Sequence, residues 1–118
     1  MALDGGRLVS DRFPHLMFEL KIADLAITAT FLIDTGCDGD SVIPERSIAS
    51  SRDGIFMVER ADGSPRFAPW VFGTEVLPEV GSFSVQATLL GDEHLVGKGL
   101  IRRLRILLDH GERVVVER

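Results

Sequence analysis

The chain has 118 residues, of which 45% are hydrophobic and 26% charged, with a net charge of −5. That length supports one domain with its own core and leaves no room for two, and the negative charge argues against nucleic acid as the main partner, because phosphate binding needs a positive field. A single cysteine excludes an intrachain disulfide, the N-terminus lacks the features of a signal peptide, and no apolar run approaches the ~20 residues of a membrane span, so the expected location is the cytoplasm, with no membrane partner.

Residues 1–15 read as an N-terminal tail with room for a first strand, and 16–118 as the domain itself. Leu16, Phe18, Leu20 and Ile22 alternate with Met17, Glu19 and Lys21, which predicts a half-buried strand. After a turn at Ala23-Asp24, Leu25, Ile27, Ala29, Phe31 and Ile33 predict a second strand, closing a hairpin that ends at Asp34. A polar loop over 36–41 leads to a short strand, Ser41-Val42-Ile43. Pro44-Glu45-Arg46 then opens a helical stretch, since proline suits a first helical position and an acid suits the first turn. Residues 50–54 break it.

Residues 55–60 and 66–76 read as strands flanking Ala61-Asp62-Gly63-Ser64, and Asp-Gly between apolar runs is a strong hairpin signal. Phe83, Val85, Ala87 and Leu89 give another strand. Residues 91–94 form a loop and Leu95-Val96-Gly97 a short apolar segment. Residues 98–104 predict a short helix, which Gly99 weakens by about 1 kcal/mol against alanine. Arg102, Arg103 and Arg105 read as its solvated face. A last hairpin joins 105–108 to 113–116. The expected fold is mostly β, a closed barrel or sandwich with one or two short helices.

Phe31-Leu32-Ile33-Asp34-Thr35-Gly36 runs an apolar strand into an acid, a small hydroxyl residue and a glycine. A carboxylate at the end of a buried strand must be paired, hydrogen-bonded or protonated. By itself Asp34 could simply cap a turn. Cys37 with His15, His94 or His110 could suggest a cysteine nucleophile, but a small buried core thiol suits the surroundings better, and the histidines read as loop residues without partners. Asp34, Asp38 and Asp40 miss the calcium-loop spacing and no His or Cys cluster supports a transition metal, so no metal or other cofactor is expected. Residues 91–99 fail as a phosphate loop: one residue too many precedes Gly97-Lys98, and Gly99 replaces the required hydroxyl.

Three landmarks, in order, resemble the retropepsin-like, single-lobe aspartic proteases, most closely their bacterial branch. They are Asp34-Thr35-Gly36 continuing through Pro44, the 61–64 hairpin tip where the family carries its flap, and Leu95-Val96-Gly97 before the family's short C-terminal helix. The resemblance spans residues 16–117. Cys37 departs from the alanine that retroviral members often carry. The resemblance implies an aspartic endopeptidase whose water is activated by two Asp34 carboxylates. One signature per chain then implies a C2 homodimer, each subunit bringing one acid. It further implies that Gly36 donates its N–H to the carboxylate, that Thr35 hydrogen-bonds across the dimer, and that Asp38 contacts substrate backbone. Ala61, Asp62 and Gly63 would close over an extended peptide. Phe67, Trp70 and Phe72 could line side-chain pockets or belong to core or interface. The alternative is a non-catalytic module of the same fold that dimerises or binds peptide. A processing domain within a larger assembly is a third possibility.

Overall fold

The structure is a computed structural model and describes residues 6–48, 54–59, 63 and 65–118. In chain order the strands are β1 (Leu8–Ser10), β2 (His15–Ile22), β3 (Leu25–Ile33), β4 (Ser41–Ile43), β5 (Gly54–Glu59), β6 (Pro65–Leu77), β7 (Gly81–Leu89), β8 (Leu95–Val96), β9 (Arg105–Asp109) and β10 (Arg113–Glu117). One helical turn, α1 (Lys98–Ile101), and a 3-10 turn at Glu45–Ser47 complete the described elements.

Seven strands run in the order β2-β3-β8-β4-β7-β6-β5, and β2 also pairs with β6. That extra pairing closes six strands into a barrel and leaves β5 outside it, as the closed mostly-β expectation requires. β6 is long enough to serve both parts. It pairs with β5 over residues 65–70, with β7 over 70–77, and with β2 at Thr74, Glu75 and Val76. Period-2 alternation decides which side chains enter. Leu16, Phe18, Leu20 and Ile22 on β2 and Phe83, Val85, Ala87 and Leu89 on β7 are buried, joined by Phe31, Ile43, Val96 and Leu100. Phe18 and Phe31 stack with centroids 4.2 Å apart. Each of the larger ones, the Val, Leu, Ile and Phe side chains, contributes roughly 1.5–3 kcal/mol by leaving water.

The second sheet is β1-β10-β9. The room for a first strand in the N-terminal stretch is filled by β1, whose Leu8 lies opposite Val116. Val114 and Val116 join the barrel's core. The β2–β3 hairpin runs in unbroken register from His15↔Leu32 to Ile22↔Leu25, as the alternation predicts. The β5–β6 hairpin is also present, and Gly63 near its tip has φ +85°, while Ala61, Asp62 and Ser64 lie outside the described residues. No helix among the described residues is long and apolar enough to cross a membrane.

Several expectations are corrected. The helix predicted over 98–104 ends at Ile101, so Arg105 lies on β9 and only Arg102 and Arg103 follow the helix. Cys37 is half-buried in a loop instead of in the core. The histidines are not bare loop residues. His15 opens β2, the His94 ring meets Phe31 edge-on at 5.2 Å, and His110 Nδ1 lies 2.7 Å from Asp109.

Candidate active site

Asp34 follows β3 directly, and the end of β3 is gripped from two sides. Leu32 and Ile33 pair in parallel with Leu95 and Val96 of β8. The Ile33 N–H donates to the Pro14 carbonyl at 3.1 Å, and the Asp34 N–H donates to the Val96 carbonyl at 2.9 Å. β8 in turn pairs antiparallel with β4, the strand that leaves the Asp34 loop. The acid therefore sits on a loop whose entry and exit strands flank one short strand.

Within the loop, the Gly36 N–H donates to Asp34 Oδ1 at 2.9 Å and the Cys37 N–H to the Asp34 carbonyl at 3.2 Å. A Cβ on Gly36 would stand 3.2 Å from that carboxylate oxygen, so glycine lets the backbone approach. Asp34 is half-buried, Thr35 is exposed, and among the described residues no cation pairs with Asp34.

The loop rests on the start of α1. Gly97 donates to the Asp40 carbonyl at 3.0 Å, Lys98 to Cys37 at 2.7 Å, and Gly99 to Gly39 at 3.0 Å. The approach is so close that a Cβ on Gly97 would collide with the Gly39 carbonyl and lie 2.8 Å from both the Cys37 carbonyl and its Sγ. A Cβ on Gly99 would collide with Asp40 Oδ1. Gly99 weakens a helix, yet any side chain there would displace the Asp40 carboxylate.

Charges complete the clamp. Arg103 Nη2 meets Asp40 Oδ1 at 3.1 Å and its Nη1 donates to the Ser84 carbonyl at 2.6 Å, while Asp40 Oδ2 accepts the Gln86 N–H at 2.9 Å. One arginine and one aspartate thus join the loop, α1 and β7. Arg103 is not a merely solvated cation. Asp40→Ala should cost about 1–2 kcal/mol, read by thermal denaturation, since it strands a guanidinium and a backbone N–H. Asp38 points outward and pairs with Lys98 at 3.0 Å, a bond that holds its carboxyl below the usual range. Asp34, Asp38 and Asp40 therefore have separate partners, and no group of three potential ligands able to hold a metal occurs among the described residues. Burial pushes the Cys37 thiol up, which disfavours the thiolate that a nucleophile needs.

Of the aromatic residues singled out from sequence, Trp70 is half-buried and meets Phe72 edge-on at 4.8 Å, and Phe72 is 59% exposed. The side chain of Phe67 lies outside the described residues. Sequence reasoning missed Arg103 as a tether, the steric demand at Gly97 and Gly99, and the buried acid Glu75. Glu75 had a readable signal, because it occupies an inward position on a strand where Val71 and Leu77 also point inward.

No protein-family model matches the chain, and no curated protein sequence matches it. Among solved structures it is similar to a retropepsin-like aspartic protease from Rickettsia conorii. The TM-score is 0.61 at 15% sequence identity, covering 98% of this chain and 94% of that one. The likeness establishes the fold.

Proposed function

We propose that this chain is an aspartic endopeptidase that works as a C2 homodimer, with one Asp34 from each subunit. The observation that carries this is the Asp34 carboxylate on a braced loop, held by the Gly36 N–H and free of a cationic partner among the described residues. The similarity in fold to a solved aspartic protease supports it. Cys37, Gly39 and Asp40 favour a bacterial-type member, and the lone cysteine favours the cytoplasm.

Two carboxylates in contact cannot both ionise, so the pair shares one proton, the logic by which aspartic proteases are known to work. The ionised member takes a proton from water as it attacks the scissile carbonyl. The protonated member polarises that carbonyl and later protonates the leaving nitrogen. An extended peptide would add its backbone to strand edges, with the hairpin around Ala61, Asp62 and Gly63 closing over it. Thr35, exposed in the single chain, would hydrogen-bond across the two-fold axis. Asp38, oriented by Lys98 yet open to solvent, would meet substrate backbone.

The second copy has a suitable place to dock. Among the described residues β9 pairs only with β10, and Leu107 and Leu108 on it are 58% and 51% exposed. Its sequence, Arg105-Ile106-Leu107-Leu108-Asp109, is self-complementary. Antiparallel pairing about Leu107 sets Arg105 opposite the partner subunit's Asp109 and leaves apolar residues between. Leu107→Arg should put like charges across the axis and shift the protein to monomer in sedimentation, with cleavage lost. A fully active monomer would overturn the shared-site reading. An intact dimer that binds peptide but never cleaves it would assign the chain to the non-catalytic alternative.

A further inference from the structure

Glu75 is an acid inside the barrel with no solvent exposure. On β6 it lies between Leu20 of β2 and Phe83 of β7, both buried. The Ser41 hydroxyl of β4 donates to Glu75 Oε1, and Oε2 is buried without a partner among the described residues. β6 rises into the hairpin with β5, and β4 leaves the Asp34 loop, so this contact bridges the two parts around the candidate site.

We propose that Glu75 is a proton-operated latch: neutral, it lets the packing between β6 and β4 stay closed, and ionised, it opens that packing to water while the Ser41 hydroxyl still binds its carboxylate. An ionised carboxylate would place charge on an oxygen with no donor to receive it, a costly state in a dry interior. Hydrating that oxygen requires the packing around Glu75 to open locally. The charged groups acting on Glu75 are Asp40, whose negative charge opposes ionisation, and Arg103, which favours it. β2 and β7 present only Leu20 and Phe83 opposite it, neither titratable. Ionisation would put a second negative charge beside Asp40, the residue that braces the loop through Arg103 and Gln86. Burial, above all, pushes the Glu75 carboxyl up from 4.5 to about 8.

The sign of the pH effect follows. Between about 4.5 and 8 the folded chain keeps a proton that the unfolded chain has lost. The stabilisation is therefore complete below 4.5, declines as pH rises, and is gone above 8. The latch needs no hydrolysis, so its test is separate from that of the proposed activity. In protein with 13C-labelled glutamate, one side-chain carboxyl should titrate with a midpoint near 8. Backbone amide signals of β4 and β6 should move with the same midpoint. Ser41→Ala, which removes the hydroxyl favouring the ionised form, should raise the midpoint. Glu75→Gln should abolish the transition and flatten the decline of melting temperature between pH 4.5 and 8. If that variant fails to fold, the wild-type and Ser41→Ala titrations still decide. No glutamate titrating above pH 7, β4 and β6 signals that stay still while Glu75 ionises, or the same transition in Glu75→Gln would each overturn the latch.

Discussion

Asp34→Asn is expected to reduce peptide hydrolysis by at least about 1,000-fold while leaving the fold in place, a size typical of losing an acid–base group. Asparagine has the shape of aspartate, and its side-chain oxygen can still accept the Gly36 N–H. It cannot ionise or hand on a proton, so neither step of the shared-proton mechanism remains. Circular dichroism and melting should stay close to wild type, since nothing buried loses its partner. A transition-state mimic of the pepstatin kind should bind the wild-type protein and lose that affinity in the variant. Hydrolysis at the native rate by Asp34→Asn would remove Asp34 from the chemistry.

Gly97→Ala should destabilise the protein by about 3 kcal/mol, near the top of the range for forcing atoms into a filled space. The added methyl would collide with the Gly39 carbonyl and crowd the carbonyl and sulfur of Cys37. Two of those atoms are backbone, so relief requires moving the Asp34 loop itself. Hydrolysis should therefore fall together with stability. Gly39→Ala is the matched control: its Cβ would meet nothing within 4 Å, and the change should stay within about 0.5 kcal/mol in urea denaturation. Equal losses at both positions would mean that flexibility, and not space, explains the glycines.

The strands were legible because alternation is a local property. β2 buries one face along its length and β7 does so through Ala87, and their residues can be read in steps of two without knowing what lies opposite. The tight turns were legible because glycine and small polar residues mark them. The partnerships were less so. Nothing within Leu95-Val96 says that it slots between β3 and β4, since parallel pairing is chosen by the whole barrel. The end of α1 was misplaced because the apolar spacing continues through Leu104, while the chain turns out at Arg102 to begin β9. Of the candidate site, the resemblance singled out Asp34 and Gly36, and the hydrogen bond between them is present. The brace beneath that loop was invisible. Arg103 and Asp40 stand 63 residues apart, and propensity treats each as surface charge. Gly99 was misleading, because helix propensity counts a missing side chain as a cost, whereas here the vacancy admits Asp40.

The slot occupied by β8 also governs when the Asp34 loop can take shape during synthesis. Its partners at residues 96–99 leave the ribosome long after residue 34 does, and the Asp34 N–H has no Val96 carbonyl to meet until then. A nascent chain would carry its acid on an unanchored segment until residues 96–99 had emerged. Truncation anywhere before that point would leave the Asp34 loop without the backbone partners that hold it.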